Sequence, residues 1–254
     1  MYTEALQQNI WMPIQPTKTQ LNNEVHVWRA NLDISKNQLQ KYKIVLSADE
    51  RLKFESYRFN NDQNKYIASR GILRHILSLY LDDDPKNIVF TYNQYGKPFL
   101  KYNHNPKPLF FSVSHSGNIA LYAITCNQKV GIDIQQFHKN IDCDLVGSKC
   151  YSDLEKKIKN SLPKQHKDHF FYTCWVRKEA FIKAKGTGLS EPLNGFSVLV
   201  DKKFPPRRIS KTLRMNEINF WTIIDLFPED KYYAAIAIEG IQTNLQYYQY
   251  KSSS

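Results

Sequence analysis

Apolar residues recur along this chain in two rhythms. From Glu24 to Leu32, Val25 and Val27 alternate with His26 and Trp28, which predicts a strand. Ser47-Ala48-Asp49-Glu50 has the pattern of a capping box, in which a serine and the glutamate three residues on satisfy each other's backbone, so a helix starts there. A longer helix is expected from about 61 to 81, with Tyr66, Ile67, Leu73, Ile76, Leu77 and Tyr80 on its buried side and Asp82-Asp83-Asp84-Pro85 ending it. Residues 88–92 read as a short strand and 93–98 as a turn with Gly96. Residues 109–113 and 120–125 read as a hairpin around Ser116-Gly117-Asn118.

The second half repeats the alternation of types. Strands are expected at 130–135, 196–200, 219–226 and 232–239, and helices at 153–160 and 166–185, split by Pro163. Residues 202–208 read as a basic, proline-containing loop. The first twenty residues read as a polar, extended arm and 247–254 as a loose polar tail. Between them, an N-terminal lobe (21–127) and a C-terminal lobe (128–246) each carry helices followed by short strands linkable as antiparallel neighbours, an α+β pattern. A duplicated domain fits that pattern, although no clear residue-level repeat stands out.

Composition changes the picture mainly through charge. The 254 residues suit one large or two small domains, and 42% apolar content is enough for a substantial core. A net charge of +11 predicts an anionic partner, whether phosphates, nucleic acid, an acidic protein or an anionic membrane, without choosing among them. Cys126, Cys143, Cys150 and Cys174 form no Cys-x-x-Cys pair, which argues against a zinc ribbon or a disulfide scaffold and fits a reducing cytosol. The N-terminus has no signal-peptide core, and the richest apolar stretches, 119–125 and 232–238, fall far short of the ~20 residues of a spanning helix. A soluble, cytoplasmic chain is expected.

Three segments carry candidate chemistry. Phe111-Ser112-Val113-Ser114-His115-Ser116-Gly117 delivers Ser114 and His115 into a small-residue turn suited to an anion, or is simply a hairpin whose serines cap their own backbone. Ser114 and His115 point to opposite faces of a strand, so they are a poor nucleophile–base pair. In Val130-Gly131-Ile132-Asp133-Ile134-Gln135, Asp133 and Gln135 share one face; their oxygens suit a hard cation, or form the solvated side of an ordinary strand. Trp175, Glu179 and Lys183 stand at i, i+4, i+8 along one side of a helix that Gly186-Thr187-Gly188 stops. Glu179 and Lys183 make either a surface ion pair or, with the tryptophan beside them, a partly buried carboxylate in need of a cation.

Taken in order, Tyr95-Gly96-Lys97-Pro98, Ser114-His115-Ser116, Gly131-Ile132-Asp133-Ile134-Gln135 and Trp175-Val176-Arg177-Lys178-Glu179-Ala180-Phe181-Ile182-Lys183 resemble the motifs of the Sfp-type 4′-phosphopantetheinyl transferases, and the likeness runs from about Val25 to Ile238. The resemblance implies two similar α+β lobes related by pseudo-twofold symmetry, with coenzyme A in the cleft between them. It implies transfer of the phosphopantetheine arm to a serine of an acidic apo acyl or peptidyl carrier protein of fatty-acid, polyketide or nonribosomal-peptide synthesis. By the same resemblance, Asp133 and Glu179 hold Mg²⁺, Glu179 is the general base and Lys183 stabilises the diphosphate. By that resemblance Lys97 and His115 meet the phosphates of coenzyme A, Gly96 and Lys178 fall among its other contacts, and Ser114 and Lys53 lie at the nucleotide end. A monomer that binds neither nucleic acid nor membrane is expected.

Two positions depart from the family pattern. Gln135 stands where a second strand carboxylate is usual, so any metal there has one negative charge fewer. Lys65 stands where an arginine for the 3′-phosphate is usual, and Arg70 on the same helix is a second candidate for that role. A phosphate-binding nucleic-acid module and a carrier-binding relative without catalysis are the competing readings.

Overall fold

The computed structural model describes residues 9–14, 21, 23–101, 108–139, 141–198, 221–242 and 244–251. In chain order, the first half holds strands β1 (Met12–Ile14) and β2 (Val25–Asn31) and helices α1 (Lys36–Val45), α2 (Ala48–Glu55) and α3 (Asn60–Leu81). Strands β3 (Phe90–Tyr92), β4 (Pro98–Leu100), β5 (Leu109–Ser116) and β6 (Ile119–Cys126) follow. The second half holds β7 (Val130–Gln136), helices α4 (Cys143–Cys150), α5 (Asp153–Ser161) and α6 (Lys164–Lys185), and strands β8 (Trp221–Leu226), β9 (Tyr232–Glu239) and β10 (Leu245–Tyr250).

The expected α+β class is what the chain adopts. One sheet has the order β1-β10-β2-β6-β5, the second β7-β9-β8, and β3 and β4 form a small hairpin. Each lobe lays one 22-residue helix, α3 or α6, on an antiparallel trio, β2-β6-β5 or β7-β9-β8. Alternation along β2 decides the layering. Trp28 and Ala30 pack with Ile72, Leu73 and Ile76 of α3, while Val25 and Val27 pack with Ile132, Ile134 and Ile236 of the other sheet. The far face of the second sheet, with Ile223, Ala235 and Ala237, packs on Val176, Ala180 and Phe181 of α6. The layers therefore run α3, first sheet, second sheet, α6.

The capping box expected at Ser47 is present: the Ser47 backbone N–H donates to Glu50 at 3.1 Å. The same carboxylate, fully enclosed, accepts from Arg70 at 2.8 Å and Arg74 at 2.7 Å on α3. The second lobe repeats the device. Ser152 N–H donates to Glu155 at 2.8 Å at the start of α5, and the buried Glu155 pairs with Lys178 of α6 at 2.7 Å. This is a residue-level repeat that sequence reading does not find, because a serine followed three residues on by a glutamate is a general helix-start signal that says nothing of an internal cation.

Several expectations change. The tail from 247 is not loose through residue 250: Tyr247–Tyr250 lie within β10, which runs parallel between β1 and β2 in the first sheet. Met12–Ile14, expected in an extended arm, pair with that strand. Phe196–Val198, expected as a strand, follow a 3-10 turn and join no ladder, since the Val198 N–H donates to Glu155 instead. Residues 199–220, including the basic loop at 202–208, lie outside the described residues. Helices α1 and α4 differ from the sequence expectation, because each is short and buries few apolar side chains.

The approach of α6 to β7 sets the geometry of everything between the lobes. A Cβ on Gly131 would lie 2.0 Å from the Ala180 carbonyl oxygen and 2.2 Å from the Ala184 nitrogen. Both are backbone atoms and cannot swing away. Gly131→Ala is expected to destabilise the protein by about 2–3 kcal/mol, at the upper end of overpacking costs, measured by urea unfolding. It should also lower activity of the molecules that remain folded.

Candidate active site at the lobe seam

Strand β5 of the first lobe runs beside β7 of the second, and its alternate residues Ser112, Ser114 and Ser116 face that strand. Ser112 Oγ accepts the Ile132 N–H at 3.1 Å and Ser116 Oγ accepts the Gln136 N–H at 3.0 Å. Between them Ser114 Oγ donates to Asp133 Oδ1 at 2.8 Å. Lys183 Nζ, from α6, donates to Ser114 Oγ at 2.8 Å and to Asp133 Oδ1 at 2.6 Å. One residue from the first lobe and two from the second thus share a single point of contact. Asp133 is buried, and the cation of Lys183 provides its counter-charge.

Glu179 stands one turn before Lys183 on the same face. Burial raises its pKa above the usual carboxylate value, the charge of Asp133 raises it further, and Lys183 opposes both. Residues of both lobes line a half-open cavity of about 310 Å³, among them Lys97, Phe111, Val113, Glu179, Ile182 and Lys183.

On the opposite face of β5, His115 remains open to solvent, yet enough protein crowds round the ring to lower its pKa. Partial burial is the larger cause, and the positive charges of Lys183 and Lys65 add to it. Lys65, on α3, is thereby placed near His115, whereas Lys53 projects from α2 into solvent with its ammonium 5.8 Å from the Tyr57 ring centre. Gly96 occupies a left-handed conformation (φ 81°) in the β3–β4 turn.

Other expected contacts lie elsewhere. Lys178 is fully buried and cannot meet a coenzyme A phosphate. Its ammonium pairs with Glu155 and donates to the carbonyls of Leu193 and Phe196. One residue before Glu179 is about 100° round the helix, which turns Lys178 into the lobe. Arg70 is likewise engaged inside the first lobe, with Glu50 and the Tyr92 hydroxyl at 3.1 Å, and is not presented for a 3′-phosphate. Lys97 Nζ donates to the carbonyls of Ala184 at 3.0 Å and Val130 at 3.2 Å. Burial, with Lys129 nearby, lowers its pKa to about 8. Sequence reading assigned no role to Ser112, Ser116 or Asn93, although their motifs were in view.

For a divalent cation, the donors in reach are hard oxygens. Asp133 and Glu179 supply carboxylates, and Gln135 shares the α6-facing side of β7 with Gly131 and Asp133. Among the described residues no three His, Cys, Asp or Glu side chains gather at one point. The mutual effect of Asp133 on Glu179 is the repulsion that a cation between them relieves, so the set fits Mg²⁺ in kind.

Comparison with known proteins bears on the family. The family model described as 4′-phosphopantetheinyl transferase superfamily matches residues 129–237, and 4′-phosphopantetheinyl transferase, N-terminal, matches 30–127. The 4′-phosphopantetheinyl transferase HetI of Nostoc sp. is 31% identical over 96% of this chain and 99% of its own. The chain belongs to the 4′-phosphopantetheinyl transferase superfamily. The putative 4′-phosphopantetheinyl transferase slr0495 of Synechocystis sp. is 29% identical over 77% of this chain and 80% of its own. Sfp of Bacillus subtilis is 28% identical over 65% and 71%. In this transferase the boundary between the two family matches falls between β6 and β7, at the seam itself.

The raised pKa of Glu179 has a consequence for stability. The folded state holds this proton more tightly than the unfolded chain, so stability falls as pH rises from the unfolded carboxylate value through the folded one. Glu179→Gln removes that loss. In metal-free protein the variant should melt at or above wild type at pH 7 and match it near pH 4. A melting temperature well below wild type at pH 7 would contradict the assignment.

Proposed function

We propose that this transferase moves the 4′-phosphopantetheine group from coenzyme A to a serine of an acidic apo carrier protein, using the seam site. The observation that carries the reading is Lys183 bridging Ser114 of one lobe and Asp133 of the other, with Glu179 one turn away. The carrier serine attacks the β-phosphorus of coenzyme A, an O–P bond forms, and the P–O bond to adenosine 3′,5′-bisphosphate breaks. Glu179 receives the serine proton, directly or through a water. Lys183 turns from Asp133 to the diphosphate as charge moves to the leaving oxygen. His115, Lys65 and Lys53 take the nucleotide end, where the dispersed charge of a phosphate suits lysine as a point charge.

Asp133 and Glu179 would hold Mg²⁺, with Gln135 as a neutral oxygen donor or a holder of water, and the ion would supply charge neutralisation and alignment of the diphosphate. The excess positive charge of the chain suits an acidic carrier. The four cysteines form no disulfide and three of them are buried, which fits a cytoplasmic enzyme.

Mass spectrometry of several apo carrier proteins incubated with coenzyme A and Mg²⁺ tests the reaction. A gain of the phosphopantetheine mass is expected, and Asp133→Ala and Glu179→Ala should each slow it by about 10²-fold or more. Near-wild-type turnover by Glu179→Ala at saturating Mg²⁺ would exclude Glu179 from the chemistry.

Gln135 generates a separate expectation. Without substrate the site has only two carboxylates, and Mg²⁺ gives up its waters reluctantly. Calorimetry should therefore show tight Mg²⁺ binding only when coenzyme A is present, and Gln135→Glu should raise the affinity of the free enzyme by about tenfold or less. Equal affinity in both proteins would remove Gln135 from the metal's surroundings.

A further inference from the structure

Two motifs that the sequence presents separately meet in space. The turn Asn93–Pro98 of the β3–β4 hairpin, in the first lobe, rests on Gly186-Thr187-Gly188, the end of α6 in the second. Gly186 is left-handed (φ 72°), and a Cβ there would lie 3.2 Å from Asn93 Nδ2 and 3.1 Å from Lys97 Cδ. Gly188 is left-handed too (φ 54°), and its Cβ would lie 3.1 Å from Tyr95 Cβ. The glycines that stop the helix therefore also clear a seat for the hairpin.

Asn93 uses both ends of its amide. Its Oδ1 accepts the N–H groups of Tyr95 at 3.0 Å and Lys97 at 2.9 Å, which shapes the turn. Its Nδ2 donates to the Gly186 carbonyl at 2.7 Å, across the seam. Lys97 adds its donation to the Ala184 carbonyl. The last carbonyls of a helix have no intrahelical donor, and here two of them are satisfied by the opposite lobe. A cation at this end also suits the helix dipole.

We propose that Asn93 is a positioning residue: with Lys97 it holds the C-terminal end of α6 from the first lobe, and this grip fixes where Glu179 and Lys183 stand against Ser114 and Asp133. Lys183 lies only three residues before Gly186, about 4.5 Å along the helix axis, so a displaced helix end carries it along. The inference rests on the roles given above to Glu179 and Lys183, and it moves Lys97 from phosphate contact to alignment of the lobes.

The test uses Asn93→Asp beside Asn93→Ala in the full-length enzyme. Aspartate keeps the oxygen that shapes the turn and replaces the donor with an anion facing the Gly186 carbonyl, so it separates grip from turn. Both variants should lower kcat about tenfold while leaving KM for coenzyme A within about threefold, the mark of misplaced catalytic groups with binding intact. Hydrogen exchange at amides 184–188 should quicken about tenfold, while β5 keeps its protection. In Asn93→Asp the β3–β4 turn should stay protected.

Wild-type kcat and exchange in Asn93→Asp would overturn the proposal. So would a rise in KM for coenzyme A with kcat unchanged, which would make the turn a binding element. Glu179→Gln, assayed in parallel, separates the two levels. Unchanged transfer in that variant would overturn the role of Glu179, while faster exchange in the Asn93 variants would still establish the grip.

Discussion

Strand β7 is the edge strand of its three-stranded sheet, and its open side faces β5 of the other lobe. A buried N–H left without an acceptor costs about 1–3 kcal/mol. Serine hydroxyls meet that need here: Ser112 and Ser116 accept from Ile132 and Gln136 in place of a backbone ladder. A ladder continued across the seam would fuse the two sheets into one. Side-chain acceptors hold the lobes together and leave room at the middle position, where Ser114 meets Asp133 and Lys183. The chemistry sits where β5 and β7 are joined by side chains.

Both lobes then solve the same problem in the same way. A long helix carries a cation into the interior, and the glutamate of a capping box on the short helix before it supplies the counter-charge. In the first lobe Glu50 serves Arg70 and Arg74; in the second Glu155 serves Lys178. Removing one member of such a pair leaves an uncompensated buried charge, and that costs about 3–5 kcal/mol. The pairs fix each long helix to its own lobe. Glu179 and Lys183 are therefore presented from a helix anchored on its far side by Lys178.

The strands at the centre of each lobe and helix α3 were legible in sequence, because their apolar residues follow a period of two or of 3.6 over enough residues to be distinct, while α6, buried nearly all round, was legible through its family motif and the glycine that ends it. Asp133, Glu179 and Lys183 were expected together from the family motifs they occupy, whereas Ser114, expected at the nucleotide end, bonds to Asp133 and Lys183 instead. Lys178 and Arg70 were misplaced because a basic residue near a motif looks the same whether it faces ligand or an internal carboxylate. Only the rotation of the helix and the position of Glu155 or Glu50 separate the two cases. Strand β10 was not legible either: Leu245–Tyr250 is polar and tyrosine-rich, and its partners Val25–Arg29 lie some 220 residues earlier.

That distance bears on how the protein is made. Strand β10 stands between β1 and β2, so the first lobe's sheet includes a strand from the other end of the described chain. During synthesis β2 can pair with β6 soon after both emerge from the ribosome, but its other edge stays bare until residues 245–250 are released. An unpaired edge with Val25 and Val27 beside it invites pairing with a neighbouring chain. The first half of the protein, although first to be translated, is thus among the last parts to finish folding. Until residues 245–250 emerge, nascent chains can aggregate through that edge.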